Sequence, residues 1–320
     1  MKFYVYRLAL KNRFRGLTMR DGLLIQDQGW GEVSPFWGYD AVESARWLAA
    51  GIEAARDGYP AALRQTVAVN ETIPALSPEA AHALAAASTC GTFKVKIADH
   101  ADALAEDLAR LEAVRAAQPS AKIRVDANAA WDVDTAVTHI RQMDRAAGGL
   151  EYVEQPCPDV EDLARTRRRV DVPIAADESI RRARDPLEVA RRHAADIAVV
   201  KNQPLGGVRA ALELAERLDM PVVVSSALES SVGLRAGLAF AAALPELPYA
   251  CGLATSRLFV DDVAADPLTP VGGLIRIRDV VPEASLPVSD ELAQAWKERL
   301  TAMWEVLGLD EDFEFMGGLA

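Results

Sequence analysis

From residue 89 onward, short apolar runs alternate with amphipathic or alanine-rich stretches, at a spacing of roughly 25 residues. The expected strands are Thr92–Ile97, Lys122–Ala127, Glu151–Glu154, Ile174–Asp177, Ile197–Lys201, Val222–Ser226 and Tyr249–Leu253. Between most of them lie expected helices: Ala101–Ala117, Asp134–Ala146, Val160–Arg169, Pro186–His193, Val208–Leu218 and Val232–Ala243. Several of the strands are apolar at consecutive positions, as parallel strands buried on both faces must be. This repetition leaves few options. It predicts an α/β chain closed into a (β/α) barrel, with Leu274–Ile277 as the closing strand.

The chain before residue 89 has another rhythm. Strands are expected at 2–9, 22–27 and 29–34, then helices at 40–56 and 77–87. Close strand succession reads as an antiparallel meander, and Ser77-Pro78-Glu79 is a cap-then-proline helix start. The tail from Ser289 reads as a helix over 290–307 and an acidic end, expected to pack back on the first unit. The expected domains are therefore 1–88, 89–288 and 289–320.

Polar residues recur where the barrel strands end. They are Lys96, Asp126, Glu154, Asp177 and Lys201. In a parallel barrel these ends gather at one mouth, where active sites are built. Three carboxylates, each following apolar residues, cannot all stay charged and unpaired. A hard divalent cation with oxygen ligands resolves this, and Mg²⁺ fits. Lys94 and Lys96 share a strand face, so each is expected to lower the other's proton affinity. A lysine poised near neutrality is a general-base candidate. Only 7 of the 35 basic residues are lysine, so a lysine on a strand is a less casual choice than an arginine. A cation beside a substrate carboxylate stabilises the charge formed when the adjacent C–H loses its proton.

The pattern Lys94-x-Lys96, Asp126-x-Asn128, Glu154-Gln155-Pro156, Asp177-Glu178-Ser179 and Lys201 resembles the muconate-lactonizing branch of the enolase superfamily. Within it, the chain resembles the o-succinylbenzoate synthase family in its actinobacterial form. Arg13-Phe14-Arg15-Gly16, Gly29-Trp30-Gly31-Glu32-Val33-Ser34-Pro35-Phe36 and Ser225-Ser226-Ala227-Leu228-Glu229-Ser230-Ser231 add to the likeness. The resemblance implies a modified TIM-type barrel, (β/α)7β, under an α+β capping domain. Loops near 16–20 and 34–36 would close over substrate. It implies Asp126, Glu154 and Asp177 as ligands of Mg²⁺, with Mn²⁺ as a substitute. Lys96 would take the proton and then, as its conjugate acid, assist departure of a hydroxyl. Lys201 would stay protonated on the other side. Lys94 would tune Lys96 and touch the substrate carboxylate, with Asn128 beside it. Ser225, Ser226 and Gly252 would receive the carboxylate of a succinyl side chain. The implied reaction is dehydration of 2-succinyl-6-hydroxy-2,4-cyclohexadiene-1-carboxylate to 2-succinylbenzoate, in menaquinone biosynthesis. The same two lysines would also serve an N-succinylamino acid racemase or dipeptide epimerase. A muconate-type cycloisomerase and a carboxylate-binding barrel without turnover are the remaining readings.

Other features narrow the class. A net charge of −12 argues against nucleic acid, and more weakly against anionic membranes. The apolar stretch 232–244 is short for a membrane span and carries Arg235. Cys90, Cys157 and Cys251 make neither a disulfide framework nor a zinc motif, so a reducing, cytoplasmic setting is expected. The first seven residues lack the apolar core of a signal peptide. The expected partner is a small carboxylate substrate, with the protein a monomer or weak homo-oligomer. Arg124 reads equally as a buried ion pair or a substrate contact. Glu178 reads as structural. The Arg167–Arg169 and Arg181-Arg182 runs read as helix-end or solvated charges.

Overall fold

The computed structural model describes residues 1–14, 16–283 and 286–319; Arg15 of the Arg13–Gly16 motif lies outside them. The chain opens with a three-stranded meander: β1 (Lys2–Phe14), β2 (Leu17–Gln26) and β3 (Trp30–Val33), each antiparallel to the next. Phe3, Val5, Leu23, Ile25 and Val33 are fully buried on the face that meets α1 (Ala41–Arg56). Asp40 caps α1 by accepting from Glu43 N at 2.8 Å, one of the four N–H groups a helix start leaves unpaired. Gly31 and Gly51 let β3 and α1 touch. A Cβ on Gly31 would lie 2.0 Å from the Gly51 carbonyl oxygen, so no side chain fits there.

Next come β4 (Thr66–Ala68), β5 (Glu71–Ile73) and α2 (Pro78–Ala87). The repeating units follow: β6 (Thr92–Lys96), α3 (Leu104–Ala117), β7 (Lys122–Asp126), α4 (Val133–Ala147), β8 (Tyr152–Glu154) and α5 (Val160–Arg167). Then come β9 (Ile174–Ala176), α6 (Glu178–Arg181), α7 (Glu188–Arg191), β10 (Ile197–Val200), α8 (Val208–Leu218), β11 (Val222–Val224) and α9 (Ser231–Ala243). Strands β5 to β11 form one parallel sheet in sequence order. The segment 250–252 closes it. Gly252 bridges to Ser225 and Cys251 to Val69, both parallel. Eight staves joined by seven helical connections make the (β/α)7β barrel.

Two expectations need correction. The barrel begins at β5, upstream of residue 89, so α2 belongs to the barrel and the division expected at residue 88 falls one unit late. Glu71-Thr72-Ile73 is too short and too polar to read as a buried strand, although all three residues are buried. The closing stave is 250–252, not Leu274–Ile277. Strand β12 (Leu274–Arg276) instead pairs antiparallel with β4, outside the ring.

The chain ends in α10 (Asp290–Leu307), capped by Ser289, and β13 (Glu314–Gly318), which pairs parallel with β1. Trp296, Leu300 and Met303 of α10 pack with Phe3 and Trp47 in a core separate from that of the barrel. Burying each such large side chain contributes about 1.5–3 kcal/mol.

The cap also completes a barrel helix. Glu32 of β3 accepts from Ser230 N (3.1 Å), Gly233 N (3.0 Å) and Ser230 Oγ at the start of α9. Tyr6 Oη and Ser34 Oγ donate to the same carboxylate, each at 2.8 Å. Gly233 leaves room for this: a Cβ there would sit 2.9 Å from Glu32 Cδ and 2.6 Å from Glu229 Cβ. Arg20 of β2 donates to the Leu228 (3.2 Å) and Ala227 (3.3 Å) carbonyls of the same loop.

Candidate active site

The stave ends are level. In register, Lys96 faces Asp126, and Asp126 faces Glu154. Just beyond them the backbone turns sharply, with positive φ at Ala98 (57°), Asn128 (46°), Ala129 (64°) and Gln155 (41°). Four non-glycine residues in that region along one rim mark stored strain of the kind found at functional sites. Gln155 holds part of the rim in place. Its Oε1 accepts from Asp177 N (2.9 Å) and Ser179 N (3.1 Å), and its Nε2 donates to Ser179 Oγ (2.7 Å).

A cavity of about 400 Å³ opens at this rim. Lys94, Lys96, Asp126, Asn128, Asp177, Lys201, Ser225, Ser226 and Gly252, all expected from the sequence, line it. Glu154 does not. It is fully buried beneath Lys94, which donates to its Oε1 at 2.6 Å and reaches Asp126 Oδ2 at 2.9 Å. Lys96 donates to Asp126 Oδ2 and to Asn128 Oδ1 (3.1 Å), and its ammonium lies 5.4 Å from the centre of the Phe14 ring. Lys201 donates to Asp177 Oδ2 at 2.5 Å.

The electrostatics differ from expectation at Lys94. Burial alone would lower its proton affinity, but Asp126 and Glu154 outweigh burial and raise it above the usual lysine range. For Lys94, the lowering expected from a neighbouring lysine is overridden by carboxylates that only the fold brings near. Burial pushes Asp126 upward, yet Lys94 and Lys96 hold it well below the usual carboxylate range. Burial likewise pushes Asp177 upward, and Arg181 and Lys201 bring it below. Glu154 is raised to about 7 by burial and by the Asp126 charge.

Sequence reasoning missed several lining residues: Thr72, Tyr39, Thr255, Leu228, Arg181 and Arg182. Thr72 sits on the unrecognised β5. Arg181 is not the solvated charge expected. It is 5% exposed and pairs with Asp177 (3.1 Å) and Glu178 (2.6 Å). Arg124 lies below the site, stacked on Tyr152 at 4.5 Å and paired with Glu151, so it makes the buried ion pair and does not line the cavity. The segment 17–20 is part of β2, with Leu17 and Phe36 at the cavity.

Residues 77–283 match the model of the enolase C-terminal domain-like family, and 5–55 that of the enolase N-terminal domain-like family. The chain belongs to the enolase superfamily. A Thermobifida fusca protein named o-succinylbenzoate synthase is 57% identical over 306 residues, covering 94% of this chain and 96% of its own. The Mycolicibacterium smegmatis protein of that name is 50% identical over 307 residues, covering 94% of each chain. These identities place the chain in the o-succinylbenzoate synthase family of the superfamily. Among solved structures, the L-Ala-D/L-Glu epimerase of Bacillus subtilis superposes with a TM-score of 0.76 at 24% identity, over 88% of this chain and 98% of its own. The muconate lactonizing enzyme of Pseudomonas fluorescens gives 0.75 at 22%, over 94% and 97%. At those identities the likeness concerns the fold.

Membership of the superfamily implies a divalent cation. Among the described residues, no three His, Cys, Asp or Glu side chains are arranged to hold one as they stand. Lysine ammonium groups are bonded to one oxygen of each of Asp126, Glu154 and Asp177. The donor set still fits. Asp126, Glu154 and Asp177 are buried oxygen donors on adjacent staves, and Glu154 Oε2 has no hydrogen-bond partner among the described residues. Such oxygens suit a hard cation. In formal charge, Asp126, Glu154, Asp177 and Glu178 are balanced by Lys94, Lys96, Lys201 and Arg181.

Proposed function

We propose that this chain is a Mg²⁺-dependent o-succinylbenzoate synthase, a hydro-lyase that dehydrates 2-succinyl-6-hydroxy-2,4-cyclohexadiene-1-carboxylate to 2-succinylbenzoate. One observation carries the chemical reading: Lys96 and Lys201, from β6 and the end of β10, line the same cavity as Asp126 and Asp177. The named relatives, alike over nearly the full chain, supply the substrate.

In this reading Asp126, Glu154 and Asp177 hold the cation. Bound there, it supplies positive charge that stabilises the negative charge developing on the substrate carboxylate. Lys96 Nζ, neutral at the moment of reaction, takes the α-proton. As an ammonium it then donates that proton to the departing hydroxyl, so one group serves both halves of a syn elimination. Proton and hydroxyl leave as water, and the ring becomes aromatic. Lys201 stays protonated on the opposite side and stabilises the anionic intermediate. Lys94, held charged by two carboxylates, is unsuited to act as base and orients the carboxylate end. Ser225, Ser226 and the Gly252 backbone receive the succinyl carboxylate, and Asn128 fixes Lys96.

The test is direct. Purified protein with Mg²⁺ should convert the cyclohexadiene substrate to an aromatic product, followed by ultraviolet absorbance, and a chelator should stop it. Lys96→Ala should lower kcat by at least ~10³-fold, in the upper range for loss of a general acid–base. No aromatic product, with α-deuterium exchange into N-succinylamino acids instead, would overturn the reading in favour of a racemase.

A further inference from the structure

Arg181 is a buried junction between the barrel and the cap. It ends α6, the four-residue helix that begins straight after Asp177. Its guanidinium is used on three sides. Nε donates to Asp177 Oδ1 at 3.1 Å, Nη2 to Glu178 Oε1 at 2.6 Å, and Nη1 to Tyr39 Oη at 2.8 Å. Tyr39 belongs to the cap, immediately before the capping residue of α1. Its ring meets Phe36 edge-on at 5.6 Å and lies 5.0 Å from the Arg182 guanidinium, which pairs with Glu43 of α1 at 3.0 Å. Both Tyr39 and Phe36 line the cavity.

We propose that Arg181 is a positioning residue: it holds Asp177 as a one-oxygen ligand and makes cation binding depend on the seating of the cap. The proposal rests on the reading of Asp177 as a ligand. A carboxylate with both oxygens free can rotate and offer either one. Here Oδ1 is taken by Arg181, and the bonds of Arg181 to Glu178 and Tyr39 keep it from following a rotation. Oδ2 is held, among the described residues, by Lys201, an ammonium on a flexible stem that a second positive charge would repel. The oxygen left for a cation is thus set beforehand, and part of the setting comes from a cap side chain 142 positions away. A lysine in place of Arg181 would keep the charge but could not span three acceptors in fixed directions.

The experiment is a titration of the full chain with Mn²⁺ alone, without substrate, reading free Mn²⁺ by electron paramagnetic resonance. Arg181→Lys should raise the Mn²⁺ Kd about 10- to 100-fold, the usual effect of losing a partner that orients a ligand. Tyr39→Phe removes one acceptor from Arg181 and should raise it about threefold. Asp177→Asn should abolish tight binding. An unchanged Kd in Arg181→Lys, with binding lost in Asp177→Asn, overturns the positioning role and leaves the ligand reading intact. Wild-type binding in Asp177→Asn overturns the ligand reading and this proposal with it. An Arg181 that served stability alone would lower Tm in Arg181→Lys and leave Kd unmoved. Should Arg181→Lys fail to fold by circular dichroism, Tyr39→Phe decides: a wild-type Kd there overturns the link to the cap.

Discussion

At the residue scale, Lys94 works against its appearance in the sequence. Its ammonium is bonded to Asp126 and Glu154 together, and those two charges hold it protonated. Removing it leaves two buried carboxylates facing each other, and breaking such a pair costs about 3–5 kcal/mol. Lys94→Met should therefore lower the stability of cation-free protein by about that much, with saturating Mg²⁺ restoring part of the loss. Urea unfolding with and without Mg²⁺ measures both, and equal losses in the two conditions would sink the account. That Lys96, Asp126, Asp177 and Lys201 gather at one cavity was legible in sequence because each is a charge at the end of an expected strand. Their pairing was not. Lys94 and Glu154 are 60 positions apart, and only the register of three staves makes one the partner of the other. Arg181 was misread for the same reason, since a short basic run says nothing about the carboxylates or the tyrosine folded around it.

At the element scale, the loop from Ser225 to Ser230 is a piece of barrel rim held in part from the cap. Arg20 takes its Ala227 and Leu228 carbonyls, and Glu229 Oε2 accepts from Ala227 N at 2.8 Å. Burial, and then the neighbouring Glu32 charge, raise the Glu229 carboxyl to about 7, with the Ala227 N–H and then Arg20 opposing. An unfolded glutamate titrates near 4.5. Between those two values the folded protein binds more protons than the unfolded chain, so this group's contribution to stability falls as pH rises from about 4.5 to about 7. Glu229→Gln removes that titration. The variant should gain on the wild type by on the order of 1–3 kcal/mol between pH 4.5 and pH 8. Unfolding curves at the two pH values test it, and a pH-independent difference would refute it. Elements with a long periodic signal, such as α3, α4 and α8, were readable. Strand β5 was not, because three residues containing Glu and Thr carry no buried-strand signal. The 250–252 stave was read as a strand, but not as the closure, because bridges to Val69 and Ser225 are tertiary facts.

At the scale of the whole molecule, the formal charges at the barrel mouth are paired before anything binds: four carboxylates with Lys94, Lys96, Lys201 and Arg181, and Arg182 with Glu43. A divalent cation alone adds two positive charges, and a substrate or product with two carboxylates alone adds two negative ones. Entering together they leave the balance unchanged. Each should therefore favour the other: saturating 2-succinylbenzoate should lower the Mn²⁺ Kd by about 10-fold, and Mn²⁺ should lower the product Kd by the same factor. Calorimetric titrations in both orders check this, and independent binding would disprove it. The link between cap and barrel has a further consequence, for how the protein opens. The first N–H groups of α9 are satisfied in part by Glu32, which belongs to the cap. Without the cap in place, that helix begins with unpaired donors. Hydrogen exchange should display this. The amides of Ser230 and Gly233 should exchange at the rate at which the cap lifts from the barrel, in step with those of β3, and not at the faster rate of a helix end fraying by itself. Two segments some 200 positions apart would then behave as one unit of opening.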